Sequence, residues 1–266
     1  MEMKQFEFKV LPNESEESVR LVLDYNHFSQ KHIGIHFENS QMYEGETFDF
    51  ILKNLRKGDT FLDIGAHIGF FSIVSSKIVG DSGKVYSFEM NNFNYSHLLA
   101  HIRLNNAKNI IPHNWAISDK SGVIEFFNNI DNDGGHSLWD CGKHEFNIKS
   151  KENPNSIISY SIAIDDYFDS NRKVNFIKID TEGAEVLVLK GMQNLLKRDK
   201  PIVVAEVNEF GLKEMGFSYT DLRKIMSDIG YRCWKLDLPK PIELKENERV
   251  ESDYIYNAAF SIEDIK

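Results

Sequence analysis

The chain has almost no cysteine: Cys141 and Cys233 are the only two in 266 residues, and they form no Cys-x-x-Cys pair. That argues against a disulfide framework and for two buried or idle thiols in a reducing compartment. No stretch approaches the roughly 20 consecutive apolar residues that cross a bilayer, so no membrane span is expected. Met1–Asn13 alternates charged and apolar residues and lacks the apolar core of a secretory signal. The expected location is therefore cytoplasmic, with any membrane role peripheral. An excess of positive charge is also missing: 31 Lys+Arg stand against 41 Asp+Glu, a formal net charge of −10. That balance opposes attraction to phosphate backbones, and nucleic acid is not an expected partner. A local basic pocket for a small anionic substrate remains compatible with it. Internal repeats and low-complexity tracts are absent.

What is present is an ordinary globular composition, 41% hydrophobic and 12% aromatic, in a length that suits one large domain. Residues 1–41 carry strand-like patches (Phe6–Leu11, Val19–Leu23, Ile33–Phe37) and read as an N-terminal appendage, a lid or an oligomer contact. The remainder, 42–266, reads as the main domain and begins with helical spacing at Phe48, Ile51, Leu52 and Leu55 and a stop at Lys57-Gly58. Strand and helix then alternate. Strands are expected at 60–64, 84–89, 109–114, 175–180 and 201–207, and helices at about 69–79, 93–105, 184–197 and 219–229. An extra strand is expected at 122–128, and 231–236 with 254–262 should close the chain as an antiparallel hairpin at the sheet edge. Repeated βα units imply a mostly parallel sheet with helices on both faces. The polar insertion at about 129–156 is either a disordered loop or an active-site cover.

Ligands on such sheets sit beyond the carboxyl ends of the strands, which directs attention to five places. The strand at 60–64 leaves through Asp63-Ile-Gly65-Ala-His67-Ile-Gly69. Gly65 permits a sharp turn and close approach of a ligand to bare backbone. Gly69 permits tight packing of the next helix, whose first N–H groups can meet a carboxylate. The spacing is Gly-x-x-x-Gly, not the Gly-x-Gly-x-x-Gly of dinucleotide binders, and Asp63 suits an ammonium group better than a pyrophosphate. Glu89 ends the next strand and can accept both hydroxyls of a ribose. Asn114-Trp-Ala116 follows the third, where an adenine would lie, with Asp119 or a backbone N–H to read its edge. Asp180-Thr-Glu182-Gly183 and Glu206 end the remaining two.

The segments Tyr43-Glu44, Asp63-Ile-Gly-Ala-His-Ile-Gly-Phe-Phe-Ser72, Ala116-Ile-Ser-Asp119 with Gly122, Ile164-Asp-Asp-Tyr167 and Phe176-Ile-Lys-Ile-Asp-Thr-Glu-Gly-Ala-Glu185 closely resemble the FkbM family of methyltransferases over about residues 42–235. The resemblance implies an α/β class I methyltransferase fold, Rossmann-like, with a seven-stranded sheet. It also implies S-adenosyl-L-methionine as cofactor and O-methylation of hydroxyls on sugars and secondary metabolites. Carried over by position, Glu44, Asp63, Gly65, Glu89, Ala116 and Asp180 would line the cofactor site, and Tyr43, His67, Gly69 and Asn114 lie beside them. Family members often carry Asn where this chain has His67, which is expected to face the cofactor at the start of the helix.

Methyl transfer from a sulfonium is an in-line displacement, so holding donor and acceptor in line supplies most of the acceleration, about 7–11 kcal/mol at best. A hydroxyl acceptor also loses a proton, and a positioned base adds about 10²–10⁴-fold. The candidates are Asp180, Glu182, Glu206 and His136, a residue of the polar insertion that titrates near neutrality. Glu182 could instead cap the helix that follows it, and Glu206 could pair with Lys178. The three carboxylates could also hold Mg²⁺, although no obligatory metal is expected. The expected acceptor is a sugar hydroxyl, on a nucleotide-activated sugar or a surface-glycan precursor, with Arg103, Lys143, Lys149 or Lys151 meeting phosphates. A polyketide-type hydroxyl and a non-catalytic binding module are the alternatives, and a homodimer is left open. An NAD oxidoreductase is disfavoured by the missing middle glycine. A nucleobase-amine methyltransferase is disfavoured by Asp180-Thr-Glu-Gly183 where those enzymes carry an Asn/Asp-Pro-Pro-aromatic run.

Overall fold

The computed structural model describes residues 2–10, 18–168, 172–245, 247–250 and 255–265. In chain order the strands are β1 (Met3–Lys9), β2 (Ser18–Asp24), β3 (Thr60–Ile64), β4 (Lys84–Phe88), β5 (Ile110–His113), β6 (Ala116–Ile117), β7 (Gly122–Phe127), β8 (Ser156–Ile162), β9 (Phe176–Ile179), β10 (Ile202–Asn208), β11 (Arg232–Lys235), β12 (Ile242–Leu244) and β13 (Ile255–Ser261). The helices are α1 (Phe28–Glu38), α2 (Gly45–Asn54), α3 (Phe70–Val79), α4 (Asn92–Leu104), α5 (Ile148–Glu152), α6 (Ile164–Tyr167), α7 (Glu185–Lys190), α8 (Gln193–Asp199), α9 (Glu209–Glu214) and α10 (Tyr219–Ser227). The expected strand ends Leu11 and Tyr254, like residues 1 and 11–13 of the N-terminal stretch, lie outside the described residues.

The central sheet runs β12-β11-β13-β10-β9-β3-β4-β5. Pairings from β10 to β5 are parallel, and β13 runs antiparallel to both β10 and β11. The seven expected strands are thus joined by a three-residue eighth, β12, which makes the antiparallel hairpin at the edge with β11. Strand β13 lies inside the sheet. Cover on both faces leaves every residue of β3 and β9 buried, Asp63 and Lys178 included, whereas a one-sided strand would alternate. Phe61 and Val85 join one hydrophobic cluster, with α2 and α3; Leu62, Ile64, Tyr86 and Phe88 join the other, with α7, α8 and α10.

The N-terminal hairpin β1–β2 brings Val19, Leu21 and Leu23, all at 0% exposure, into the first of these clusters. Ile33–Phe37 is not a strand but the second half of α1. The alternation of Ile33, Ile35 and Phe37 misleads there, because Gln30, Ile33 and Gly34 form the buried side and Ile35 is exposed. The helix expected at 184–197 is two, broken at Gly191-Met192. A Cβ at Gly191 would collide with the Ser118 carbonyl oxygen, and the Asp165 carboxylate accepts from Asn194 N and Leu195 N to start α8 afresh.

The polar insertion folds into a compact cover. Asp131 accepts from the Lys149 and Ser150 backbone N–H groups, and Asn129 Oδ1 accepts from Asp131 N and Asn132 N. Its C-terminal end becomes β8, unforeseen in the sequence, which pairs with β6 and β7 in a small three-stranded sheet.

Candidate active site

A cavity of about 330 Å³ opens beyond the carboxyl ends of β3, β4, β9 and β10. Of the residues singled out in the sequence, Tyr43, Glu44, Asp63, Gly65, His67, Glu89, Ala116, His136, Asp180, Glu182 and Glu206 all line it. Gly69 and Asn114 do not. Gly69 starts α3 with φ +88°, and a Cβ there would collide with Leu98 of α4. The Asn114 carboxamide donates to the Glu89 and Met90 carbonyl oxygens and so shapes the turn that carries Glu89. Asp119 and the basic residues Arg103, Lys143, Lys149 and Lys151 lie off the cavity wall. Lys143 instead pairs with Glu214 at 2.7 Å.

Gly65 adopts φ +80°, and a Cβ there would collide with the Asp180 carbonyl oxygen, so the exits of β3 and β9 can meet only at glycine. Six non-glycine residues among those described have positive φ, and three of them, Glu44 (+44°), His67 (+50°) and Glu182 (+54°), line the cavity. Such backbone costs about 1–3 kcal/mol per residue and persists where surrounding contacts over-determine it.

At one end Glu89, 6% exposed, accepts from Asn91 N (2.7 Å) and His67 N (2.8 Å). Burial outweighs those bonds and pushes its carboxyl up to about 7. The His67 imidazole lies 3.2 Å from Asp133 in the insertion, and Asp133 also accepts from Ser29 N at the start of α1. Burial alone would raise the Asp133 carboxyl, but the His67 hydrogen bond and charge hold it at about 2. One aspartate thereby ties the cover and the N-terminal helix to the turn at 65–67. Phe28, Ser29, His32 and Ile33 of α1 and Asn132, Gly134 and Leu138 of the cover complete that wall.

In the floor, Asp63 and Lys178 are cross-strand neighbours. Ser72 donates its hydroxyl to Asp63, and Lys178, 3% exposed, pairs with Asp180 at 2.7 Å. Lys178 therefore serves Asp180, and the alternative partnership with Glu206 is not made. Burial pulls the Lys178 ammonium pKa down, but Asp180, Glu44 and Asp63 outweigh it and hold it above its usual value. Burial raises the carboxyls of both Asp63 and Glu44, against the pull of Lys178.

At the far end Asp180, Glu182 and Glu206 each bring a carboxylate oxygen within 4.8 Å of the others, a spacing that could hold a cation. Asn208 Nδ2 donates to Glu182 Oε2 (3.0 Å), whereas Glu206 Oε2 is buried with no protein partner. Burial, then Asp180 and Glu185, push Glu182 up to about 8, and Glu206 stands well above the carboxylate range for the same reasons. Glu182 does not cap the following helix. No side chain caps α7, and Glu185, its first residue, gathers the preceding turn instead: its Oε1 accepts from Thr181 N, Thr181 Oγ1 and Gly183 N. His136 is a buried residue, not a solvated loop histidine. Asn129 N donates to its Nδ1 (3.0 Å), and burial holds the ring at about 4. The neutral ring therefore carries its proton on Nε2.

The profile of the Methyltransferase FkbM domain matches residues 63–233. The hexuronic acid methyltransferase AglP of Haloferax volcanii is 25% identical over 187 residues, 70% of this chain and 68% of that one. A proposed rRNA-methylase from Clostridium thermocellum superposes with a TM-score of 0.50 at 11% identity, over 82% of this chain and 94% of that one, which is a likeness of fold. Methyltransferase FkbM from Methylobacillus flagellatus KT gives a TM-score of 0.48 at 16% identity over 81% of this chain, which spans 53% of that longer protein. Among the described residues no helix is long and apolar enough to cross a membrane. The family match covers well over half of the sequence, and the chain belongs to the FkbM methyltransferase family, whose methyl donor is S-adenosylmethionine.

Proposed function

We propose that the protein methylates a hydroxyl group of a sugar, with donor and acceptor at opposite ends of the one cavity. The observation that carries this reading is the placement of Glu182 and Glu206, two carboxyls of raised proton affinity, at the end of the cavity away from Glu89.

The lining suits the donor, which carries a net positive charge. Glu44, Asp63, Glu89, Asp180, Glu182 and Glu206 face the cavity against one lysine, already paired. Glu89 would hold the ribose hydroxyls, since each of its oxygens keeps a lone pair free after the His67 and Asn91 bonds. Ala116 and Trp115 would flank the adenine, and Asp63, Glu44 and Tyr43, with the bare backbone at Gly65, would take the amino-acid end. When bound, S-adenosylmethionine supplies an electrophilic methyl group.

The chain's own residues supply the rest. The turn 65–67 and Glu89 fix the donor, while the cover and α1 close the cavity against water. Glu182 takes the acceptor's proton, because a base of pKa about 8 combines strong proton affinity with partial ionisation at neutral pH. His136, with its proton on Nε2, is better placed to donate to an acceptor oxygen than to serve as base. Of the N-terminal segment, α1 acts as a wall of the site through Phe28, Ser29, His32 and Ile33.

The relative that acts on a hexuronic acid supports a sugar acceptor, and a cytoplasmic role in building a capsule or other surface glycan would follow. Among the described residues Lys178, paired with Asp180, is the only lysine or arginine that lines the cavity, so a nucleotide diphosphate on the acceptor would have to lie outside it. The test is incubation with methyl-labelled S-adenosylmethionine and a panel of neutral sugars, uronic acids, nucleotide sugars and polyketide alcohols, with products read by mass and NMR. An O-methyl on a sugar ring is expected; transfer to the polyketide alcohols alone would overturn the sugar assignment.

A further inference from the structure

Glu182 sits in an expensive backbone conformation with its side chain in the cavity, and three separate contacts keep it there. Beneath it is Glu185, 0% exposed, whose Oε1 gathers Thr181 N (3.0 Å), Thr181 Oγ1 (3.0 Å) and Gly183 N (3.1 Å). On the cover side the Trp139 indole N–H donates to the Glu182 carbonyl oxygen at 2.7 Å. That indole is itself seated edge-on against Phe210, with centroids 5.3 Å apart. At the side chain Asn208 donates to Oε2. Gly183, at φ +102°, lies so close to Gly211 that a Cβ would collide with it, so the turn has no room to slide toward α9.

Glu185 does more than fold the turn. Its second oxygen, Oε2, is buried with no hydrogen-bond partner. An acceptor left unpaired in the interior normally costs stability. The three bonds to the turn need only one oxygen, so the second carboxylate oxygen is not required to fold it.

We propose that Glu185 is the positioning residue of the acceptor end: one oxygen folds the Thr181–Gly183 turn that, with Trp139, presents Glu182 to the cavity, and the other is held unpaired in the interior behind that turn. This rests on the reading of Glu182 as the base. The groups facing Glu182 are Asp180 and Lys178 from β9 and its exit, Glu206 and Asn208 from β10, and Glu185 from α7. Of these acids, only Glu185 is joined to the Glu182 turn by hydrogen bonds to the flanking backbone. Burial and Asp180 raise the Glu182 carboxyl first, and Glu185 adds to them; Glu185 also raises Glu206. Burial holds Glu185 itself at about 7, so its charge develops in the range where Glu182 titrates.

The test is a carboxyl titration by NMR on protein carrying ¹³C-labelled glutamate, saturated with S-adenosylhomocysteine, with the Glu182 signal assigned from Glu182→Gln. In Glu185→Gln the Glu182 titration moves to lower pH by about one unit, as expected for removal of a neighbouring buried charge, while affinity for S-adenosylhomocysteine stays within about twofold. Trp139→Phe keeps the ring but removes the N–H, so the turn relaxes outward and the Glu182 titration falls toward the ordinary carboxylate value of about 4.3. Should Glu185→Gln not fold, Glu185→Asp carries the test: the shorter side chain keeps the charge but loses the turn's N–H groups and moves the Glu182 titration. An unmoved Glu182 titration in the variants that fold overturns the proposal. Failure of the base assignment looks different: Glu182→Gln would then still transfer methyl groups in the assay above, even if its neighbours shift the titration as described.

Discussion

Replacing Lys178 by methionine removes the one ammonium in the cavity floor and keeps most of its stem. Lys178 is 3% exposed and lies against Asp180 at 2.7 Å, beside Asp63 on the neighbouring strand and within the field of Glu44. Breaking a buried pair from one side leaves uncompensated charge and costs roughly 3–5 kcal/mol. For a domain of this size each kcal/mol moves Tm by about 2–4 °C, so the expected loss is roughly 6–20 °C. The loss should also depend on pH. Acid favours the protonated forms of Asp63 and Glu44, both already raised by burial, so the loss should be smaller at pH 5.5 than at pH 8. Differential scanning calorimetry of Lys178→Met at both values reads this directly, and Lys178→Met with Asp180→Asn should recover part of the loss. A variant melting within about 3 °C of the wild type at pH 8, or one equally weakened at both pH values, would refute the reasoning.

Three further outcomes are expected. Glu89→Gln removes the charge that receives the ribose hydroxyls and weakens S-adenosylhomocysteine binding by about 10–100-fold in calorimetric titration, with little change in the titration of Glu182. The unliganded protein loses stability between about pH 5 and pH 8.5. Glu89, Glu185 and Glu182 have folded values of about 7, 7 and 8, above their unfolded ones, so their protonated forms favour the fold and that contribution is lost as pH rises toward those values. A thermal-melt series that rises across this interval would contradict it. Chelation with EDTA leaves activity intact, because protons on Glu182 and Glu206 relieve the crowding of the three carboxylates; activity lost and restored by Mg²⁺ would assign the cluster to a metal.

Much of this site could be read from local pattern. Asp63, Glu89, Asp180 and Glu206 were found because each ends a βα strand, and strand ends of a parallel sheet share one edge. What the pattern could not give was partnership across the fold. Asp133 looks like one more polar residue in an Asn- and Asp-rich insertion, yet it ties His67 to α1 over 66 and 104 residues of chain. Glu185 stands in the same run as Asp180, but nothing in the spacing says that it, not Glu182, collects the turn's N–H groups. Ile33–Phe37 misled because a short alternation is compatible with both periods, and only packing against β2 and α3 decides between them. The two short helices α7 and α8 were fused in the sequence reading because the close approach of Gly191 to Ser118 is a tertiary fact.

With the donor held at Glu89 and the proton taken by Glu182, as proposed, binding and transfer should separate by mutation. Single-turnover methyl transfer from labelled S-adenosylmethionine to the sugar acceptor, with wild type and Glu182→Gln compared at equal donor occupancy, tests that division most directly. Glu182→Gln is expected to bind donor as tightly as the wild type and to transfer at least about 100-fold more slowly, with the pH-dependent limb near 8 abolished. Transfer by Glu182→Gln at the wild-type rate, with the limb intact, would contradict it.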